Sequence, residues 1–137
     1  MRTVAILGAG AMGSALAFPI SDRGHKVILW NRSPKILDLI RTGQPHPKLG
    51  VKMPEGIKLY YRNELDRAVR EADYIIIAVS SAGVRAVTEA IKPYVREGQV
   101  LINVAKGLIE FNGEVLLIPE AIKRIIGDRK VTIAAVT

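Results

Sequence analysis

Apolar residues fall along this chain in short unbroken runs, separated by stretches in which they recur every third or fourth position. Val4-Ala5-Ile6-Leu7 is the first run, too short for a helix and apolar at every position, which predicts a strand buried on both faces. From Ala11 to Arg23 small and apolar residues take helical spacing and Gly24 supplies a stop, while Pro19 inside the stretch predicts a kink or an early end. Lys26–Trp30 is a second strand. Ser33-Pro34 opens a helix with a capping hydroxyl and a proline at the first helical position. Its apolar residues Ile36, Leu37, Leu39 and Ile40 lead to a stop at Gly43.

Residues 44–56 hold three prolines and two glycines, which keep them irregular, and loops of this length often carry function. Ile57–Tyr61 then reads as a third strand, and Asn63 as the cap of a short helix with Leu65, Ala68 and Val69 on its apolar side. Tyr74–Val79 is the most apolar strand and therefore the central one. A helix over Gly83–Tyr94 presents Val84, Val87 and Ile91 on one side, and Val100–Val104 is a fifth strand. Leu116–Ile126 is helical, with Pro119 as an alternative start, and Val131–Val136 is the sixth strand.

Strict alternation of strand and helix predicts an α/β fold, a doubly wound parallel sheet of six strands in a three-layer α/β/α sandwich. Such a sheet takes its ligand in the crevice between strands one and four. The 137 residues suit one domain, and no internal repeat or low-complexity tract divides them.

Composition narrows the chemistry. The chain has no cysteine and only His25 and His46, so no structural metal site is expected. No apolar run approaches the ~18 residues of a membrane span, and Met1-Arg2-Thr3-Val4 enters a strand rather than a signal peptide. The expectation is a cytoplasmic protein with no membrane partner. The formal charge is +7, but the basic residues are scattered and aromatics make up only 5%, which argues against nucleic acid as a partner. An anionic small ligand accounts for part of the excess.

Gly8-Ala9-Gly10-Ala11-Met12-Gly13 matches G-x-G-x-x-G, and it leaves a predicted strand to open a predicted helix, the context of a Rossmann dinucleotide site. Gly8 permits the tight turn, Gly10 lets a pyrophosphate approach, and Gly13 lets the helix pack against the sheet. The free N–H groups of the helix start, Ala11 and Met12 among them, complete an anion site. At the tip of the second strand, Trp30-Asn31-Arg32-Ser33 carries no carboxylate to accept the ribose hydroxyls of NAD. Arg32 can pair with a 2′-phosphate, and Ser33 can donate to it as well as cap its helix, so NADP is expected, with NAD as the alternative. Ser80 and Ser81 leave the fourth strand, where small residues suit a nicotinamide and equally an ordinary turn. Lys106, beside Gly107, leaves the fifth strand on the same edge; it either serves an anionic substrate or is a surface lysine.

Taken together, the residues resemble the NAD(P)-dependent glycerol-3-phosphate dehydrogenases, and the archaeal members in particular. The likeness rests on Gly8 to Leu16, on Leu29-Trp30-Asn31-Arg32, on the loop from His46 to Pro54 and on Ala105-Lys106-Gly107-Leu108-Ile109-Glu110. It covers the whole chain. What it implies is an oxidoreductase that moves hydride between NAD(P)H and dihydroxyacetone phosphate to give sn-glycerol 3-phosphate for phospholipid biosynthesis. It further implies phosphate contacts at Gly8, Gly10, Ala11, Met12 and Gly13, adenine-ribose contacts at Asn31, Arg32 and Ser33, and Lys106 between cofactor and substrate.

Two departures qualify it. Family members often have an aromatic-Leu-Pro run where this chain has Lys48-Leu49-Gly50, so no cofactor contact is carried onto that segment. The family also places its proton-donor lysine in a helical substrate domain beyond the sixth strand, and this chain stops at Thr137. The expectation is therefore a cofactor domain, 1–137, inactive or nearly so by itself and able to form a homodimer in a full-length protein. The competing readings are the same half of a ketopantoate or 3-hydroxy acid reductase, and a stand-alone nucleotide-sensing module.

Overall fold

A computed structural model describes residues 1–136, and Thr137 lies outside them. In chain order the elements are β1 (Thr3–Leu7), α1 (Ala11–Asp22), β2 (Lys26–Trp30), α2 (Pro34–Arg41) and β3 (Lys58–Tyr60). A single 3-10 turn (Arg62–Glu64) leads into α3 (Leu65–Glu71), then β4 (Tyr74–Ile77), α4 (Ser81–Ile91) and β5 (Val100–Asn103). β6 (Leu108–Phe111), β7 (Glu114–Leu117), α5 (Ile118–Ile126) and β8 (Thr132–Ala135) complete the chain. The main sheet is six-stranded and wholly parallel, in the order β3-β2-β1-β4-β5-β8. That is the doubly wound order, with its reversal between β1 and β4.

Alternation along the strands builds the two outer layers. Ala5 and Leu7 of β1 join Ile28, Ile75, Ile77 and Leu101 against α3, α4 and α5, through Val69, Val84, Ile91 and Ile122. Val4 and Ile6 turn the other way with Val27, Leu29 and Ile76, against Ala17 of α1 and Leu37 of α2. Both faces of the sheet are thus covered, which is why these strands are apolar at every position.

Several expectations change in detail. A β-hairpin, β6 paired antiparallel with β7, occupies the stretch between β5 and α5. Leu116 and Leu117 belong to that hairpin, so the last helix starts at Ile118 and Pro119 sits in its first turn. The hairpin turns at Asn112 and Gly113, with φ of 51° and 84°, the left-handed pair that matches strand twist in a two-residue connection. Pro19 does not end α1, which continues to Asp22. The proline and Ala15, whose carbonyl loses its partner, are both exposed, so water can satisfy the carbonyl. Asn63 does not cap α3: it lies inside the 3-10 turn, and the Tyr61 N–H is closed instead by the Glu64 carboxylate at 2.9 Å. The ends of β3 and β4 are shorter than predicted, because pairing stops where the chain leaves the sheet.

Candidate functional site

The carboxyl ends of β1, β2, β4 and β5 lie side by side on one edge of the sheet. The turn after β1 is fixed from several directions. Gly8 has φ of +122°, and a Cβ there would stand 2.7 Å from the Ala78 carbonyl oxygen, so the backbone just past β4 runs too close for any side chain. A Cβ on Gly13 would be 2.1 Å from the Gly8 oxygen and 3.2 Å from Ile6. Gly10 differs. Its φ and ψ of −70° and −172° suit any residue, and a Cβ there would meet nothing within 4 Å. Nothing inside the chain demands glycine at this position.

Gly10 is the N-cap of α1, and its carbonyl takes the first helical bond, from the Ser14 N–H at 3.0 Å. The N–H groups of Ala11, Met12 and Gly13 therefore have no partner within the helix, and the helix dipole adds positive potential where they point. Ala11 and Met12 are exposed, and the first turn of α1 holds no acidic residue.

Asn31, Arg32 and Ser33 follow β2. Asn31 braces the glycine turn: its Oδ1 accepts the Ala9 N–H at 2.9 Å and its Nδ2 donates to the Ser33 carbonyl at 3.1 Å. Ser33 occupies the N-cap position of α2, yet its hydroxyl makes no capping bond, contrary to the sequence expectation, and stays open to another partner. Arg32 is exposed and joins no ion pair among the described residues. It lines a cavity of about 320 Å³ with Trp30, Arg62, Asn63 and Val87. Arg62, likewise unpaired, was missed in the sequence, where nothing tied the 3-10 turn to the tip of β2. Trp30 Nε1 donates to the Arg62 carbonyl at 3.4 Å, a link between the two. Among the described residues no carboxylate lines the cavity.

On the other side of the glycine turn, a crevice of about 340 Å³ brings together Gly10, Ala11 and Met12, Ser80 and Ser81 at the start of α4, and Lys106 beyond β5. Lys106 is exposed and carries no ion pair among the described residues. The approach to it is shaped by buried Asn103, whose side chain donates to the Ala105 carbonyl at 2.8 Å and accepts the Ala105 N–H at 3.1 Å. Ser80 is the N-cap of α4 without a side-chain capping bond. The structure thus arranges every sequence-predicted site residue along one edge, from Arg32 through the glycine turn to Lys106. Among the described residues no group of three His, Cys, Asp or Glu lies close enough to hold a metal ion, and no helix is long and apolar enough to cross a membrane.

Residues 3–137 match the family model described as the NAD-dependent glycerol-3-phosphate dehydrogenase N-terminus. The chain is 39% identical over 136 residues to the NADP(+)-dependent glycerol-3-phosphate dehydrogenase of Archaeoglobus fulgidus, which covers 98% of this chain and 40% of that protein. The glycerol-3-phosphate dehydrogenase structure from Coxiella burnetii superposes with a TM-score of 0.84 at 27% identity, over 98% of this chain and 40% of that one. A ketopantoate reductase from Ralstonia eutropha gives a TM-score of 0.69 at 22% identity, over 97% of this chain and 40% of that one, a likeness of fold alone. The chain therefore spans about 40% of the length of these proteins.

Proposed function

From the premise that the chain belongs to the family of N-terminal domains of NAD-dependent glycerol-3-phosphate dehydrogenases, we propose that it binds NADP along the carboxyl edge of its sheet for the interconversion of dihydroxyacetone phosphate and sn-glycerol 3-phosphate. The bound nucleotide supplies the hydride. The chain's own residues hold and orient it: the N–H groups of Gly10, Ala11, Met12 and Gly13 receive the diphosphate, with Gly8 and Asn31 fixing the turn that presents them. Arg32, Ser33 and Arg62 receive the 2′-phosphate. Ser80 and Ser81 border the nicotinamide end. Lys106 reaches over the same crevice, where an ammonium group can hold the substrate phosphate or stabilise charge developing on its carbonyl oxygen. Action in the cytoplasm and supply of glycerol phosphate to lipid backbones belong to the same proposal, as do a helical substrate domain and dimerisation in a longer protein.

The observation that carries the cofactor choice is the cavity at the tip of β2, where among the described residues two guanidinium groups are free of ion pairs and no carboxylate joins the lining. An acid placed to accept ribose hydroxyls would repel a 2′-phosphate, whereas each arginine offers a charge-assisted bond of about 1.5–3 kcal/mol. Calorimetric titration of NADPH and NADH tests this. NADPH is expected to bind at least ~10-fold more tightly, and the Arg32→Ala, Arg62→Ala double variant to remove most of that difference while leaving NADH affinity nearly unchanged. Preference for NADH overturns the reading.

A further inference from the structure

The connection between α2 and β3 is tied to the glycine turn by one side chain. His46, in the irregular stretch 44–56, is fully buried, and its ring reaches the Ala9 carbonyl oxygen with Nε2 at 2.8 Å. Its Nδ1 faces the N–H groups of Lys48 at 3.1 Å and Leu49 at 3.4 Å. A nitrogen addressed by two donors must be the acceptor, so Nδ1 is bare and Nε2 carries the proton that is donated to Ala9. The loop holds the ring in turn: the His46 N–H donates to Val51 at 2.9 Å and its carbonyl accepts the Gly50 N–H at 2.8 Å.

The Ala9 carbonyl also accepts the hydroxyl of buried Ser14 at 3.0 Å. In a trans peptide the C=O and the following N–H point in opposite directions. A carbonyl drawn toward His46 and Ser14 therefore turns the Gly10 N–H the other way, and among the described residues that N–H donates to nothing. Gly10 itself lines the crevice with Lys106. Asn31 Oδ1 already holds the Gly8–Ala9 peptide through the Ala9 N–H, which leaves the Ala9–Gly10 peptide to be aimed from its carbonyl side by His46 and Ser14.

We propose that His46 is a positioning residue for the nucleotide diphosphate: its Nε2–H fixes the Ala9–Gly10 peptide plane and so presents the Gly10 N–H to the ligand. The proposal rests on the dinucleotide reading above. The loop thereby acts on the site without touching the ligand, through one hydrogen bond to the turn.

The test pairs two substitutions with opposite defects. In His46→Gln the side-chain amide keeps a donor near the Nε2 position and loses the acceptor for the loop; in His46→Asn the acceptor stays and the reach to Ala9 is lost. NADPH affinity, measured by calorimetry, should fall by about tenfold in His46→Asn and by no more than about threefold in His46→Gln, the scale of one hydrogen bond. Thermal midpoints, which report the structural damage, should fall in both. Equal losses of affinity in the two variants, or none in either, overturn the positioning role. Wild-type protein supplies an independent arm through amide nuclear magnetic resonance: the Gly10 N–H should be among those shifted most by NADPH, and an unmoved Gly10 resonance in a binding protein also overturns it. A wild-type protein that does not bind NADPH at all overturns the dinucleotide reading itself, and the positioning role with it.

Discussion

The turns that leave β1 and β5 border the same crevice, yet they are built differently. After β1, the Ala78 backbone just past β4 approaches to within 2.7 Å of where a Gly8 side chain would begin, and Asn31, Ser14 and His46 hold both polar groups of Ala9. After β5, Asn103 folds onto Ala105, but Gly107 has open space around it and the hairpin that follows exposes Leu108, Val115 and Leu117. Both turns use a glycine at positive φ, +122° at Gly8 and +119° at Gly107. The glycine turn is fixed by the backbone packed against Gly8 and by the three side chains that hold Ala9. The Lys106 end is fixed mainly by backbone conformation, so the same substitution should have unequal consequences at the two turns.

Alanine at Gly13 breaks the first turn most severely, because a Cβ 2.1 Å from the Gly8 oxygen has nowhere to move. A loss of about 3–5 kcal/mol is expected, a large share of the stability of a domain this size. Alanine at Gly107 meets no atom within 4 Å and pays only for the unfavourable φ, about 1–2 kcal/mol. Thermal melts of the two variants measure the gap. If Gly107→Ala melts as low as Gly13→Ala, the second turn is as tightly enclosed as the first.

Gly10 sharpens the comparison from inside the first turn. Gly10→Ala adds a methyl group to open space at an unstrained φ, so its melting midpoint should stay within about 2 °C of wild type. NADPH affinity should nevertheless fall by at least ~10-fold, since the methyl group intrudes where the diphosphate must approach the backbone. A variant that melts normally and binds normally would remove the ligand as the reason for glycine here. Taken with Gly13→Ala, a normal melt with weakened binding would separate a glycine that serves the fold from one that serves a ligand.

These differences also mark what could be read from the sequence. The strands were legible because a parallel sheet buried on both faces demands unbroken runs such as Tyr74 to Ile77, and the glycine turn because its spacing reports a shared geometry. The hairpin was missed although Asn112-Gly113 is the dipeptide such turns favour, since Leu116 and Leu117 sit beside a genuine helix and lent themselves to its periodicity. Arg62 and His46 were missed as contributors for another reason. Each lies against a neighbour distant in sequence, Arg62 beside Arg32 and His46 on Ala9, and periodicity carries no information about which loops converge.

The smallest effect concerns what holds β3 beside Arg62. Nearly buried Tyr60 donates its hydroxyl to the Glu71 carboxylate, which Lys58 also meets at 2.9 Å, so the edge strand is tied to the end of α3 just before the turn that carries Arg62. The Tyr60 bond is the main reason that the Glu71 carboxyl is held below its ordinary range, with Lys58 adding to it and partial burial opposing. A depressed folded-state pKa means that the unfolded chain takes up the proton first as pH falls. The stabilisation from this carboxylate is therefore complete above about 4.3, the usual glutamate value, and is lost progressively below it. Glu71 is 37% exposed, so solvent screening keeps the contribution small. Glu71→Gln should lower the melting midpoint by about 1–2 °C at pH 7, and the difference should close as the pH is taken toward 3. A gap that persists in acid would mean that the shape of the contact rather than its charge holds the strand, and that Arg62 is positioned by the β2–β3 pairing alone.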